Sequence, residues 1–253
     1  MKLVWGSTVL AAMVLLSGCA HRPADDPADP LEPVNRAVFT FNDKADKYAL
    51  RPVAQAYKYA VPEPARNGVT NFFDNLDEPR NAVNDVLQLK FKQSAKNVGR
   101  FLLNTIAGLG GLFDVASEVG LEPHVEDFGQ TLGYWGVGEG WYLVLPLIGP
   151  SDNRDFAGFL ADMPTQFSFY LPGRYDVERY GAQFVNIVNF RAGLIGTDRI
   201  LDEQFDRYLF IRTAYLQRRQ SLVYDGHPPL EDFVVPDDEP APEAAPAAPK
   251  KSN

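Results

Sequence analysis

The sequence predicts a mainly α-helical fold, and two features of the chain support that prediction. Apolar residues recur every three or four positions over long stretches, which is the spacing of one face of a helix. Acid–proline pairs precede several of these stretches, at Asp29-Pro30, Glu63-Pro64 and Glu78-Pro79, and proline is favoured in the first turn of a helix. Strict alternation of apolar and polar residues is rare. The best strand candidate is Trp141–Leu145, which Pro146 ends.

The first predicted helix begins at the segment Asp29-Pro30-Leu31-Glu32. Asp29 is the expected N-cap, Pro30 lies in the first turn, and Glu32 follows three residues after the cap. Pro52 is expected to end or bend this helix because proline lacks a backbone donor. The apolar face of the helix consists of Val34, Val38, Phe41, Ala45 and Tyr48.

Further helices are predicted along the rest of the chain. Glu63-Pro64 and Glu78-Pro79 each open a separate helix, and another begins near Phe91. The apolar positions of these three helices are Val69, Phe72, Phe73, Leu76, Val83, Val86, Leu87, Phe91, Ala95, Val98, Leu102 and Ile106. Two later helical faces consist of Tyr180, Phe184, Ile187 and Val188, and of Leu201, Phe205, Tyr208 and Leu209.

The N-terminus has the pattern of a secretory signal that ends at a lipid-acceptor cysteine. A basic start at Lys2 precedes a short apolar stretch and the segment Leu16-Ser17-Gly18-Cys19. The apolar stretch is shorter than the roughly 20 residues that a helix needs to cross a bilayer. Cys19 is the only cysteine, so the sequence predicts a lipidated thiol there and no intramolecular disulfide. Ala20 after the cysteine favours sorting to the outer membrane.

These patterns divide the chain into four segments. Residues 1–18 are the expected lipoprotein signal peptide, and residues 19–29, rich in Pro, Ala and Asp, are a lipidated flexible tether. A single helical domain is expected over residues 30–232. The acidic, Pro- and Ala-rich tail at 233–253 is expected to be disordered, since no large apolar residue occurs from position 236 onwards.

The charge balance excludes two classes of partner. The chain contains 33 acidic and 24 basic residues, with a formal net charge of −9. Nucleic-acid binding depends on neutralising phosphates with basic residues, and electrostatic attachment to anionic lipid needs a polybasic segment. We therefore expect no nucleic-acid partner, and any membrane attachment must be hydrophobic.

The middle of the chain contains apolar runs that two arrangements explain. The runs are Phe101–Ala116, Trp141–Pro150, Phe156–Leu160 and Phe167–Leu171, each too short or too broken to span a membrane as a helix. One interpretation is a buried helical core, and the other is a surface that enters one leaflet. Trp135 and Trp141 lie together in a glycine-rich loop. Tryptophan is common at membrane interfaces, although buried tryptophan is common as well.

No arrangement of residues in the sequence indicates an enzyme. No serine lies in a G-x-S-x-G motif, and no cysteine remains for nucleophilic chemistry once Cys19 is lipidated. The histidines are His21, His124 and His227. His124 has Glu122, Glu126 and Asp127 nearby, but the spacing matches no metal-binding motif and favours a solvated loop. The sequence thus predicts no catalytic residue, no metal and no cofactor.

Five segments of the chain match the motifs of one known family. They are DPLEPVNRAVFTFND at 29–43, LRPVAQAY at 50–57, VPEPARNGVTNFFDNLDEPRNAVNDVLQ at 61–88, GRFLLNTIAGLGGLFDVA at 99–116 and EDFGQTLGYWGVGEGWYLVLPLIGPSDNRD at 126–155. The chain resembles the MlaA (VacJ) family of outer-membrane lipoproteins over most of 29–155, and more weakly over 156–230. The family commonly has proline where this chain has Trp141, a difference that concerns the stiffness of the loop.

The resemblance implies both a fold and a function. The implied fold is a single ring of helices, seated in the periplasmic leaflet of the outer membrane around a central amphipathic pore. The implied function is removal of mislocalised phospholipid from the outer leaflet, in contact with trimeric porins, and transfer to the periplasmic carrier MlaC. A structural lipoprotein that tethers porins or the cell wall is the alternative, and an envelope hydrolase with an unrecognised site is a more remote one.

The resemblance also suggests which residues form the pore and its gate. Asn104, Thr105 and Asp114 interrupt an apolar segment and are candidates for the polar lining of the pore. Helix capping or a buried hydrogen bond explains the three residues equally well. Gly136 and Gly138, with Trp135 and Trp141, match a loop that is expected to act as a gate, because glycine allows the backbone angles that a moving loop needs.

Overall fold

The computed structural model describes residues 29–165 and 176–229, and these residues are mainly helical, as predicted. The helices are α1 (Glu32–Ala45), α2 (Arg51–Ala60), α3 (Glu63–Leu87), α4 (Phe91–Ile106), α5 (Val115–Glu118), α6 (Phe128–Tyr134), α7 (Asn153–Asp162), α8 (Asp176–Leu194), α9 (Asp198–Asp202) and α10 (Arg207–Val223). Two strands, β1 (Tyr142–Leu145) and β2 (Gly149–Asp152), lie between α6 and α7. The signal peptide, Cys19, the run Phe167–Leu171 and the tail at 233–253 lie outside the described residues, as does most of the tether.

Asp29 does not cap the first helix, contrary to the sequence prediction. Helix α1 begins at Glu32, and Leu31 occupies the N-cap position without a side-chain hydrogen bond. The carboxylate of Asp29 is fully buried, where it accepts hydrogen bonds from Asn35 Nδ2 at 2.8 Å and from the Tyr208 hydroxyl. The hydrogen bond from Tyr208 of α10 therefore takes the place of a local cap by Asp29.

Pro52 interrupts the helical run but does not end it. A π-helical turn, Asp46–Leu50, connects α1 to α2, and Pro52 lies in the first turn of α2. The missing backbone donor of proline is tolerated at that position, and the wider turn before it keeps the chain helical.

Pro79 does not open a new helix, so the prediction made from the third acid–proline pair, Glu78-Pro79, is wrong. Helix α3 is 25 residues long, from Glu63 to Leu87, and Pro79 lies in its interior. A proline inside a helix removes one backbone hydrogen bond and costs about 3 kcal/mol. The residues around it are buried against neighbouring elements, and among them are Asn75, Glu78 and Asn81. This packing keeps the helix continuous despite the local cost.

The small apolar core forms around the predicted strand. β1 pairs with β2 in an antiparallel hairpin, with Tyr142 opposite Asp152 and Leu145 opposite Gly149. The side chain of Asn35 on α1 accepts from the Val144 amide and donates to the Tyr142 carbonyl, both at 2.9 Å. Buried Tyr142, Val144 and Tyr208 form the centre of this core, and Val38, Phe39, Tyr215 and Leu216 pack against it.

Most large apolar side chains of the run Phe101–Ala116 point outward, so the buried-core interpretation is wrong for this run, whereas Tyr142 and Val144 of the run Trp141–Pro150 are buried. On α4, Phe91, Val98, Leu102 and Ile106 are exposed, and Ile106 shows 78% of its surface. The same holds for Leu109 and for many other large apolar residues of the described segments, including Phe113, Tyr180, Phe184, Ile187 and Phe205. Within residues 29–165 and 176–229, no helix is both long enough and apolar enough to cross a membrane.

Candidate functional site

The described part of the chain buries more polar than apolar side chains. Buried polar or charged residues outnumber buried apolar ones by more than two to one. A water-soluble protein normally shows the opposite pattern, because polar groups lose hydration on burial. The inversion identifies the polar interior as the candidate site.

Two facing stripes of polar residues, one on α3 and one on α4, form this interior. Spacings of three and four residues place each stripe on one face of its helix. The α3 stripe consists of Asn71, Asp74, Asn75, Glu78, Asn81 and Asp85, and the α4 stripe of Ser94, Asn97, Arg100 and Asn104. The two helices form the most extensive helix pair in the described residues. A cavity of about 150 Å³ lies along the stripes, and Pro123, His124 and Val125 also line it.

Arg100 is the principal cation in the wall of this cavity. Its side chain is only 3% exposed and donates from Nε to Glu78 Oε1 at 2.6 Å. Nη1 donates to Ser117 Oγ at 3.0 Å and also to the Leu121 carbonyl, and Nη2 lies 3.3 Å from both carboxylate oxygens of Asp114. Arg100 therefore joins α3, α4, α5 and the loop after α5 through charge-assisted hydrogen bonds.

The structure brings Asn104 and Asp114 together at this cavity and leaves Thr105 outside it. Asn104 donates to Asp114 Oδ1 at 2.9 Å and accepts from the Ala116 amide at 2.9 Å. Asp114 also accepts from the Ser117 amide as the N-cap of α5. Thr105 is exposed and accepts from Asn75 Nδ2 at 3.0 Å. Asn104 and Asp114 thus line a cavity and also make the capping and buried hydrogen bonds of the alternative interpretation.

The cavity wall is acidic. Asp74, Asp77, Glu78 and Asp114 outnumber Arg80 and Arg100 among its residues. Desolvation by the surrounding cavity wall, followed by repulsion from Asp77, raises the pKa of Asp74 to about 6, although Asp74 is exposed at the edge of the cavity and Arg100 opposes the shift. Burial also raises the pKa of Glu78, and the hydrogen bond from Arg100 only partly offsets it. For Asp114 burial is again the largest influence, but hydrogen bonds from Ser117 and Asn104 outweigh it and lower the pKa.

The raised pKa of Asp74 predicts a specific dependence of stability on pH. A carboxyl group with a higher pKa in the folded state stabilises the fold while it is protonated, below its unfolded value near 4. That contribution is lost as the pH rises through about 6, where the folded group ionises. We expect Asp74→Asn to flatten this part of the pH profile, so the wild-type Tm should fall relative to the variant between pH 4 and pH 7. Parallel profiles in a thermal-melting series would contradict the assignment.

Glu126 is not solvated, which corrects the interpretation made from the sequence for this residue, whereas Glu122 of the same loop is exposed. Glu126 is fully buried and accepts from Gln88 Nε2 at 2.7 Å and from Lys90 Nζ at 2.9 Å. Asp127 caps α6 through the Gln130 amide and forms an ion pair with Arg219 at 2.6 Å. Glu126 and Asp127 therefore face the interior, where they hold α6 against α3 and α10.

The glycine-rich loop lies apart from the polar cavity. Gly136 has φ of +87°, a conformation that favours glycine, and neither Gly136 nor Gly138 has another residue close to where a Cβ would lie. Trp135 is half exposed and donates from Nε1 to the Leu87 carbonyl at 3.1 Å. Trp141 is half exposed as well. Gly136 and Gly138 line a separate groove of about 660 Å³ between this loop and α10.

A third depression, of about 580 Å³, is lined by both apolar and charged residues. Phe39, Tyr142, Leu194, Leu201 and Phe210 are among the apolar residues that line it. The charged residues form the ion pairs of Arg191 with Asp46 and Arg207 with Asp43, each at 2.7 Å. This combination suits an amphipathic ligand, since a hydrocarbon chain gains free energy from the apolar lining while a polar group contacts the charged residues.

Sequence reasoning missed Arg100 and the polar stripes, although the signal was present. The polar residues of α3 and α4 repeat with the same period as the apolar residues of the opposite faces. A polar stripe on an amphipathic helix is normally assigned to solvent. Seven of the ten stripe residues are asparagine or aspartate, which are not favoured in helix interiors, and this excess is the available indication.

Comparison with known proteins identifies relatives along most of the chain. The family model described as MlaA lipoprotein matches residues 27–222. The intermembrane phospholipid transport system lipoprotein MlaA of Escherichia coli (strain K12) is 39% identical over 228 residues, which covers 87% of this chain and 89% of that protein. The protein of the same name from Haemophilus influenzae is 32% identical over 241 residues, covering 91% of this chain and 95% of that protein.

A solved structure agrees with these relatives. It was determined in work on the structural basis for maintenance of bacterial outer membrane lipid asymmetry. The match has a TM-score of 0.69 and 40% sequence identity, and it covers 77% of this chain and 98% of the solved chain.

Proposed function

The chain belongs to the MlaA lipoprotein family, and we propose that it is an outer-membrane lipoprotein of intermembrane phospholipid transport. In this proposal it removes mislocalised phospholipids from the outer leaflet through a pore and passes them to a periplasmic carrier. The lipid asymmetry of the outer membrane is thereby maintained. Turnover needs no covalent chemistry, only a path on which the polar head group crosses at lower free-energy cost.

The observation that supports this proposal is the inverted distribution of polarity. Apolar side chains such as Ile106, Leu109 and Phe113 face outward, while Asn75, Arg100 and Asn104 face inward. A domain seated in one leaflet, about half of the roughly 30 Å hydrocarbon thickness, requires this arrangement. Helices suit such a position because they satisfy their backbone polar groups internally.

The three depressions suggest how an amphipathic lipid is handled. The polar cavity near Arg100 offers hydrogen-bonding groups that replace part of the hydration a head group loses. The apolar groove near Phe210 offers a surface for an acyl chain. We further propose that the ring-like arrangement around a central pore joins such surfaces into one path, with the Gly136–Gly138 loop as its gate.

The location and partners follow from the same proposal. Cys19 is the proposed acylation site, which fixes the protein to the periplasmic leaflet of the outer membrane. One acyl chain gives only marginal anchoring, so a domain that is itself seated in lipid adds to the attachment. The proposed partners are a trimeric porin and the periplasmic lipid carrier MlaC.

Deleting the gene and complementing it with the wild-type chain tests the proposed function. We expect phospholipid to accumulate in the outer leaflet of the deletion strain and transfer to the purified carrier to stop. A structural tether predicts porin binding without any change in surface phospholipid. A hydrolase predicts lipid breakdown products from the purified protein alone. Normal surface phospholipid in the deletion strain would overturn the proposal.

Stiffening the glycine-rich loop is expected to impair transport without unfolding the protein. Gly136→Pro together with Gly138→Thr removes the left-handed conformation at one position and restricts the backbone at the other. The complemented strain should approach the detergent sensitivity of the deletion strain. Gly193→Ala is the matched control, because no other residue lies close to the added Cβ and φ is not in the left-handed region. Normal detergent resistance and normal surface phospholipid in the loop variant would exclude a gating role.

A further inference from the structure

Three potential metal ligands converge at the end of α3. Asp85 from α3 and Glu126 from the loop before α6 are fully buried, and His124 from the same loop is partly buried. His124 Nδ1 lies 3.6 Å from Asp85 Oδ1 and 3.7 Å from Glu126 Oε1. One ligand atom from each residue lies within 4.8 Å of the others.

Neighbouring side chains hold all three groups in this orientation. Asn97 Nδ2 donates to Asp85 Oδ2 at 2.8 Å, and Gln88 Nε2 donates to Glu126 Oε2 at 2.7 Å. Each amide thus binds the carboxylate oxygen that faces away from His124. On the far side of the imidazole, Asp225 Oδ1 lies 3.5 Å from Nε2. A carboxylate at that nitrogen favours the tautomer whose Nδ1 lone pair is free, as in many histidine–metal sites.

Two of the converging atoms are buried without a hydrogen-bond partner. They are Asp85 Oδ1 and His124 Nδ1, and neither is paired by any of the residues that the structure describes. A buried polar atom that lacks a partner costs about 1–3 kcal/mol, and more when it is charged. Since the two atoms face each other, one ligand placed between them would satisfy both.

The charge of the cluster indicates a cation. With a neutral histidine, the carboxylates of Asp85, Glu126 and Asp225 exceed the single positive charge of Lys90 by two. Lys90 is already engaged at the edge, 2.9 Å from Glu126 Oε1 and 2.6 Å from Asp225 Oδ1. A divalent ion would neutralise this excess negative charge.

We propose that Asp85, His124 and Glu126 bind a divalent transition-metal ion, with zinc the favoured candidate. Zinc binds imidazole nitrogen and carboxylate oxygen at about 2.0–2.2 Å, which places tetrahedral ligands roughly 3.4 Å apart. The two separations at His124 Nδ1 are close to this value. His124 also lines the polar cavity, so the ion has a route of entry. The ion would fix the loop at 122–127 to α3, a role that does not depend on the proposed lipid transport.

The test measures Zn²⁺ binding by the full-length lipoprotein, purified in detergent and treated with EDTA. We expect about one equivalent of Zn²⁺ to bind with a Kd below 1 µM, and Co²⁺ to give the visible absorption of a nitrogen- and oxygen-ligated ion. His21→Ala with His227→Ala leaves His124 as the sole histidine, and this variant should bind like the wild type. His124→Ala should weaken binding at least 100-fold, and Asp225→Asn should weaken it about 10- to 100-fold.

Each other outcome overturns the proposal. The absence of stoichiometric Zn²⁺ binding by the wild type would show that the cluster is only a hydrogen-bonded network that holds the loop at 122–127 without a metal ion. Equal binding by the wild type and by His124→Ala would place any Zn²⁺ elsewhere on the chain. The Co²⁺ spectrum of the wild type decides the question if a variant fails to fold, and circular dichroism identifies that failure.

Discussion

Arg100→Ala is expected to lower the free energy of unfolding by about 3–5 kcal/mol. The substitution removes the buried cation that holds Glu78 at 2.6 Å and that contacts both carboxylate oxygens of Asp114. Both acids then lie in a wall that already contains Asp74 and Asp77, with only Arg80 to balance them. Leaving a buried charge without its partner costs more than the original ion pair contributed.

Thermal and chemical unfolding of the purified protein in detergent measure this loss. The control is Arg199→Ala, because Arg199 is 87% exposed, and removing an exposed pair with Glu203 should change stability by less than about 1 kcal/mol. Adding Glu78→Gln to Arg100→Ala should restore part of the stability, since the double variant removes one of the unpaired charges. A decrease of less than about 1 kcal/mol in the free energy of unfolding of Arg100→Ala would contradict this prediction. It would show that Glu78 and Asp114 are hydrated in the cavity wall and do not need Arg100 as a partner.

Placing lysines on the apolar exterior is expected to reduce lipid binding by the domain roughly ten- to hundredfold. The positions are Ile106, which is 78% exposed, and Phe113, which is 58% exposed. Ile106→Lys with Phe113→Lys is made in a chain with Cys19→Ala and without the signal peptide, so that only the domain itself can bind. The ammonium group of each lysine must either lose its hydration in the lipid or extend to the membrane–water interface. The apolar contact of the replaced side chain with lipid is also lost.

Flotation with phospholipid vesicles measures how this protein partitions between the vesicles and the aqueous phase. Glu203→Lys is the control, because Glu203 is a polar, exposed position and the same charge there should change binding less than about twofold. Undiminished flotation of the double lysine variant would contradict the assignment of this face to lipid. Circular dichroism separates weaker binding from unfolding.

Local patterns predicted most of the helices because they depend on neighbours in sequence. Glu63-Pro64 opens α3, the apolar repeat from Phe91 to Ile106 is α4, and the strand candidate ending at Leu145 is β1. These features depend on the position of proline and on the spacing of apolar side chains, and both can be read from the sequence.

Two local signals failed because contacts distant in sequence outweighed them. Asp29 has the residue type and position of an N-cap, but Asn35 and Tyr208 hold its carboxylate in the core. Pro79 has the position of a helix start, but the buried polar residues on both sides of it keep α3 continuous. A rule that considers only residues adjacent in sequence cannot predict either group of contacts.

The spacing of apolar and polar residues alone does not show which face of a helix points to the interior of the domain. An amphipathic helix shows two faces, and the pattern of α4 is the same whether Arg100 or Leu102 points to the interior. The surrounding medium decides which face is buried, and water and lipid give opposite answers. The clustered tryptophans, Trp135 and Trp141, fit either a lipid interface or a buried position, and Asn104 and Asp114 are explained equally well as pore lining or by capping and buried hydrogen bonds.

Site-directed spin labelling tests most directly whether the apolar exterior of the domain lies in lipid. If Cys19 is lipidated as proposed, a cysteine introduced elsewhere is the only free thiol of the mature chain. Labels at Ile106→Cys and at Glu203→Cys are compared in bilayers for collision with oxygen and with a water-soluble nickel chelate. We predict that the label at position 106 collides with oxygen and not with the chelate, and that the label at position 203 does the reverse. Equal access of the chelate to both labels would contradict the seating of this domain in a leaflet.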